Sequence, residues 1–151
     1  MGESTRIKRA LETAFSGPSW HGPSFMENLR DVGEIKARAK PLANAHSIWE
    51  IVNHLTAWQV FTLRVIDGAP YATLQGDADW PPISGSWESA VAGLESSHAT
   101  LLAKIDQFSD DKIKENVPGA DYPWRTLFRG IASHSLYHAG QIGLLKRACG
   151  A

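Results

Sequence analysis

Residues 124–148 read WRTLFRGIASHSLYHAGQIGLLKRA. Leu127, Ile131, His134, His138, Gln141 and Leu145 recur at steps of four, three, four, three and four, the spacing of one helical face. Pro123 stands at the entrance of the segment, and Lys146 and Arg147 stand in its last turn, where a cation suits the helix dipole. The stretch therefore predicts a long amphipathic helix over about Trp124 to Ala148. Three polar residues, His134, His138 and Gln141, interrupt its otherwise apolar seam.

The same period appears three more times. From about Ser4 to Phe15, Ile7, Leu11 and Ala14 share a face, and Gly17-Pro18 stops the helix. From about Asn44 to Asp67, Ile51, His54, Trp58, Phe61 and Val65 form a seam. Asn44 is the expected N-cap there, and Gly68 and Pro70 end the helix. From about Ser86 to Phe108 the seam is Trp87, Val91, Leu94, His98, Leu101, Ile105 and Phe108. A short helix around Phe25 to Arg30 is also expected. No segment alternates with period two, so little or no sheet is predicted. Four such helices point to an all-α four-helix bundle in a single domain. The connection from Gly68 to Gly85 is long enough to run the length of the bundle and to make the helices on either side of it parallel.

The bulk properties narrow the function. The chain has 151 residues, 43% hydrophobic and 21% charged, with net charge −1. These are values of an ordinary globular protein, and no basic patch predicts nucleic-acid binding. The mixed-sign cluster from Arg30 to Lys40 reads as solvated surface. The single cysteine, Cys149, excludes an internal disulfide and fits a reducing compartment. No apolar run approaches the ~18 residues of a membrane span. The N-terminus lacks the apolar core of a signal peptide, and Met1-Gly2 is followed by Arg6, where an acylation signal needs Ser or Thr. A cytoplasmic protein is expected.

The histidines carry the chemistry. His134 and His138, four residues apart, place two imidazoles on one helix face, about 6 Å apart along the axis. Two such rings can share a metal ion, and His54, also on an inward seam, is the candidate third ligand. An unpartnered buried imidazole costs roughly 1–3 kcal/mol, so three in one core call for something that binds them. Three protein ligands leave a coordination position open, as in catalytic zinc sites. The HxxxH spacing alone is weak evidence, and His98, on a seam of its own, is a warning, since it can equally be read as a satisfied core or boundary histidine. His21 and His46, near loops and helix ends, suit capping or surface roles. Glu50, one turn before His54, can orient it or simply be solvated. Gln141 can bond a ligand or cap the pocket. Together with Tyr137 these are the candidate bases, and none is compelling. No Glu lies between His134 and His138, so the HExxH metalloprotease arrangement is absent. Trp49, Trp58 and Trp87 read as core. Trp20, Trp80 and Trp124 cover the bundle ends or line a pocket there.

Three segments carry a family resemblance: Trp20-His21-Gly22-Pro23, His46-Ser47-Ile48-Trp49-Glu50-Ile51-Val52-Asn53-His54-Leu55, and His134-Ser135-Leu136-Tyr137-His138-Ala139-Gly140-Gln141-Ile142. With them the chain resembles the DinB-like superfamily, in particular its damage-inducible and thiol-transferase-like branches. The resemblance implies an up-down-down-up four-helix bundle, a metal site of His54, His134 and His138, and no ligand role for His98. It implies zinc, nickel or iron as the ion, and a homodimer. Relatives of this type use low-molecular-weight thiols such as bacillithiol or mycothiol against small electrophiles. Two functions remain open at this stage. One is an enzyme, a metal-dependent thiol S-transferase or hydrolase acting on a small molecule. The other is a metal- or ligand-binding bundle protein without turnover.

Overall fold

A computed structural model describes residues 1–150. It is built from six α-helices: α1 Glu3–Ser16, α2 Phe25–Leu29, α3 Glu34–Arg38, α4 Ile48–Ile66, α5 Trp87–Ile105 and α6 Trp124–Ala148. Single 3-10 turns occur at Gly76–Ala78 and Lys112–Lys114. Among the described residues the only β pairing is the isolated bridge between Asn116 and Pro123. The long helices α1, α4, α5 and α6 form an all-helical bundle.

Two helix boundaries differ by three or more residues from those the pattern predicts, and one short helix was not predicted. The second long helix begins at Ile48, not Asn44, because Ser47 is its N-cap. The Ser47 hydroxyl accepts from the Glu50 amide at 3.2 Å, and the Glu50 carboxylate accepts from the Ser47 amide at 2.7 Å. Such a reciprocal capping box satisfies two amides that the first helical turn leaves free. Asn44 instead sits in a turn with φ 62°. The third long helix ends at Ile105, and Gln107 and Phe108 continue it only as i→i+3 turns. The charged cluster read as surface contains α3. Its one buried residue is Ala37, and Arg38 lays its guanidinium over the Trp49 ring at 4.3 Å.

End-to-end contacts set the helix directions. Trp49 and Trp87, both at helix starts, meet edge to face at 5.6 Å, while Lys104 and Asp67, both at helix ends, pair at 2.5 Å. Contacts of this kind belong to parallel neighbours. The connection from α4 to α5 must therefore return along the bundle, roughly 28 Å for a 19-residue helix. That return carries residues 76–83 past the second turn of α4.

The core divides in two. One apolar cluster includes Phe15, Phe25, Trp49, Leu55, Leu94 and Ile142; the other includes Leu11, Phe61, Leu101, Trp124, Phe128 and Ile131. Between them, at matching heights, lie buried polar residues: His54 and Gln59 on α4, Ser97 and His98 on α5, and Ser135 and His138 on α6. Ser97 donates to Gln59 Oε1 at 2.5 Å, tying α5 to α4. His98 stacks on Phe15 with ring centroids 3.7 Å apart, and neither of its nitrogens has a hydrogen-bond partner. Burial holds its pKa down at about 4, so the ring is neutral at pH 7.

Candidate metal centre

The polar layer concentrates its chemistry where α4 faces α6. His54 points from the second turn of α4, and His134 and His138 point from successive turns of α6. One nitrogen from each lies within 4.8 Å of the others. His134 Nε2 is 2.9 Å from both His54 Nε2 and His138 Nε2. His98 is not in this group.

Hydrogen bonds behind the rings fix which nitrogen faces inward. The Asp79 carbonyl, an acceptor only, lies 2.7 Å from His54 Nδ1, so Nδ1 carries the hydrogen and donates it. His138 Nδ1 donates to Gln141 Oε1 at 2.6 Å. Both rings therefore present bare Nε2 lone pairs to the centre. Only His134 can bring a hydrogen there, and one hydrogen cannot serve two contacts well. A cation at this point would satisfy all three nitrogens at once, and imidazole donors suit zinc, nickel or iron.

Protonation favours the same outcome. Burial is the largest cause lowering all three pKa values, and the neighbouring imidazoles lower those of His134 and His138 further, to about 4. The hydrogen bond to the Asp79 carbonyl and, less strongly, the Asp79 carboxylate oppose this at His54, and the Gln141 bond opposes it at His138. The rings are thus neutral near pH 7, the form that binds metal.

Several supporting residues lie outside the periodic seams, and of these the sequence marks only Trp80, as a residue covering a bundle end or lining a pocket. Asp79, on the returning connection, uses its carbonyl on His54 and its carboxylate Oδ1 on Trp58 Nε1, at 2.7 Å. Trp58, read as core, thereby anchors the support of a site histidine. Trp80 lies flat between two imidazoles, 3.5 Å from His46 and 3.9 Å from His54 between ring centroids. Asn53 on α4 holds the same strand of connection, donating to the Pro81 and Pro82 carbonyls at 3.3 Å each. No periodicity could have flagged a loop aspartate and tryptophan, although the Pro81-Pro82 pair marks a stiff, extended path.

Other candidates separate. Glu50 does not orient His54. Its carboxylate is taken by the Ser47 cap and by Lys40 at 2.9 Å, with His46 Nδ1 3.6 Å away. Gln141 does hold a site histidine. Tyr137 is largely exposed, its ring edge to face with His138 at 5.0 Å. Of the loop tryptophans, Trp124 is buried in the core, Trp80 joins the site, and Trp20 is fully exposed and covers nothing.

With this geometry the comparison with known proteins is direct. Residues 23–142 match the family model described as the DinB superfamily. The chain belongs to the DinB superfamily. The matched span contains α2 to most of α6, with all three site histidines and Asp79. No curated protein and no solved structure matches the chain. The membership agrees with an all-helical bundle and with a three-histidine cluster compatible with metal binding. No helix among the described residues is long and apolar enough to cross a membrane.

Proposed function

We propose that this DinB superfamily protein is a cytoplasmic metalloenzyme that holds one divalent transition ion, zinc, nickel or iron, through His54, His134 and His138. In this reading it is a thiol S-transferase or hydrolase acting on a small electrophile, with a low-molecular-weight thiol as the co-substrate of the transferase reaction. A homodimer belongs to the same proposal, as do a small-molecule partner and no role on nucleic acid. The observation that carries the metal is the convergence of three Nε2 atoms whose rings are held from behind. When bound, such an ion lowers the pKa of a coordinated thiol or water and so supplies a nucleophile near neutral pH.

The chain's own residues orient and shelter that chemistry. The Asp79 carbonyl keeps His54 in the Nδ1–H tautomer. Gln141 does the same for His138. Trp80 shields His54 from solvent along one ring face. Asp79 Oδ1 lies 3.2 Å from His54 Nδ1, behind the ring rather than at the centre, so it does not complete the ligand set. A site with three ligands and room for a fourth favours turnover over a purely structural role.

The test is elemental mass spectrometry of untagged protein purified without added metal, beside His138→Ala. About one transition ion per chain, lost in the variant, is the expected result. No ion in the wild type after incubation with zinc, nickel and iron would overturn the reading.

A further inference from the structure

The three histidines lie between two cavities. The smaller, about 360 Å³, has His54, His134, Asp79, Tyr122 and Thr126 on its wall. The larger, about 430 Å³, opens on the other side of His138 and falls in the ~300–1,000 Å³ range of small-molecule pockets. Leu42, Ala45, Ile51, Trp80, Leu144 and Leu145 supply its apolar wall. Asn44, His46, Tyr137, His138 and Gln141 supply its polar groups.

The charge of that wall selects among ligands. Among the described residues, none that lines the larger cavity is Lys, Arg, Asp or Glu. The carboxylate beside His46, that of Glu50, is already tied to Ser47 and Lys40. A carboxylate, phosphate or ammonium entering here would lose water and meet no oppositely charged side chain on the wall, which is costly. An apolar molecule would gain by covering Leu144, which is exposed on α6. Gln141 uses its carbonyl oxygen on His138, so what it still offers a ligand is its amide donor.

We propose that the larger cavity seats the electrophile, and that this molecule is uncharged and mainly apolar, of one or two rings, with a hydrogen-bonding group turned toward Gln141 and His46. The assignment rests on the metal reading only in calling the ligand a substrate; the ligand's class rests on the cavity wall.

The test uses two fluorescent probes that share one ring system, neutral N-phenyl-1-naphthylamine and its sulfonate, 8-anilinonaphthalene-1-sulfonate. Each is titrated into the metal-loaded and the chelator-stripped protein. Neutral-probe binding at one site per chain is expected, and in the chelator-stripped protein, where the wall alone decides, it is at least about tenfold tighter than the sulfonate. Leu144→Glu puts a charge on the wall at an exposed position and weakens neutral-probe binding about tenfold or more. Two controls keep it within about twofold of wild type. Leu136→Glu lies on α6 outside this cavity, and Gly130→Trp fills the smaller cavity at a helix position where an added Cβ meets nothing within 4 Å. Circular dichroism and metal content check that each variant is folded and loaded. No neutral binding, equal binding of the sulfonate to the stripped protein, or loss in Gly130→Trp in place of Leu144→Glu would overturn the assignment. If the neutral probe binds as described to a protein that takes up no metal, the metal reading falls and the ligand class stands. If metal binds and the neutral probe does not, the cavity assignment alone falls.

Discussion

Replacing Asp79 tests whether the returning connection is part of the proposed metal centre or merely passes it. The residue makes two attachments. Its carbonyl takes the hydrogen of His54 Nδ1 at 2.7 Å, and its carboxylate takes that of Trp58 Nε1 at 2.7 Å. Asp79→Ala keeps the carbonyl but frees the segment from Trp58 and removes the negative charge 3.2 Å from the imidazole. Losing a group that orients a metal-bound histidine typically costs 10- to 100-fold in affinity, about 1.4–2.7 kcal/mol. Because the carbonyl survives, the lower end applies, so metal affinity should fall about tenfold. Asp79→Asn separates the causes. It retains an acceptor for Trp58 and loses the charge, so a positioning role predicts a loss smaller than that of alanine. Competition against a chromophoric zinc chelator measures both. Wild-type affinity in Asp79→Ala would refute the argument, and equal losses in the two variants would shift the cause from position to charge.

Other outcomes follow from single contacts. Gln141→Leu removes the acceptor of His138 Nδ1 and should weaken metal binding by about 10- to 100-fold, read by the same competition. His98→Leu removes two buried nitrogens without partners, at the cost of its stack on Phe15; the net effect is about 1 kcal/mol of added stability at pH 7 in urea unfolding. The His98 pKa of about 4 lies below the ordinary 6.5, so between those values the unfolded chain binds more protons. His98 therefore makes stability fall as pH drops from about 6.5 to 4, by roughly 3 kcal/mol, and His98→Leu should flatten that slope in unfolding curves taken across the range. Ser47→Ala removes one half of the α4 capping box and should cost about 1 kcal/mol in the same assay.

Much of the bundle was legible because its helices bury one face each, and burial leaves a period in the sequence. The seams of His54, His134 and His138 came from that period, and the α6 boundaries from the period together with Pro123 and the basic last turn. What the period could not supply was anything set by a single local bond or by the path of a connection. The start of α4 turned on one hydroxyl, Ser47, three residues beyond the asparagine that looked equally able to cap. The α3 turn buries one alanine and leaves its charges outward, so its pattern is that of a loop. Asp79 and Trp80 reach the centre because α4 and α5 are parallel and the chain must come back along them; the length of the connection from Gly68 to Gly85 allowed for that return, but no residue spacing said which of its side chains would reach the centre. Glu50 was one turn from His54 and chemically suitable, but the helix start claimed its carboxylate first.

The polar layer between the two apolar clusters has a consequence for how the helices find their alignment. A bundle with a uniformly greasy interior tolerates one helix sliding along its neighbour by a turn, since each apolar residue only exchanges one apolar contact for another. Here a slip of α5 by one turn would part Ser97 from Gln59 on α4, and a slip of α6 would leave only one of its two histidines beside His54 and carry the other among apolar residues. Each stranded group would forfeit hydrogen bonds worth about 1–3 kcal/mol, while the apolar halves would gain nothing in return. The residues that make the centre chemically useful also act as a ratchet, letting the chain lock in a single alignment. Variants with a wholly apolar middle are then expected to gain stability and to lose uniqueness of packing together.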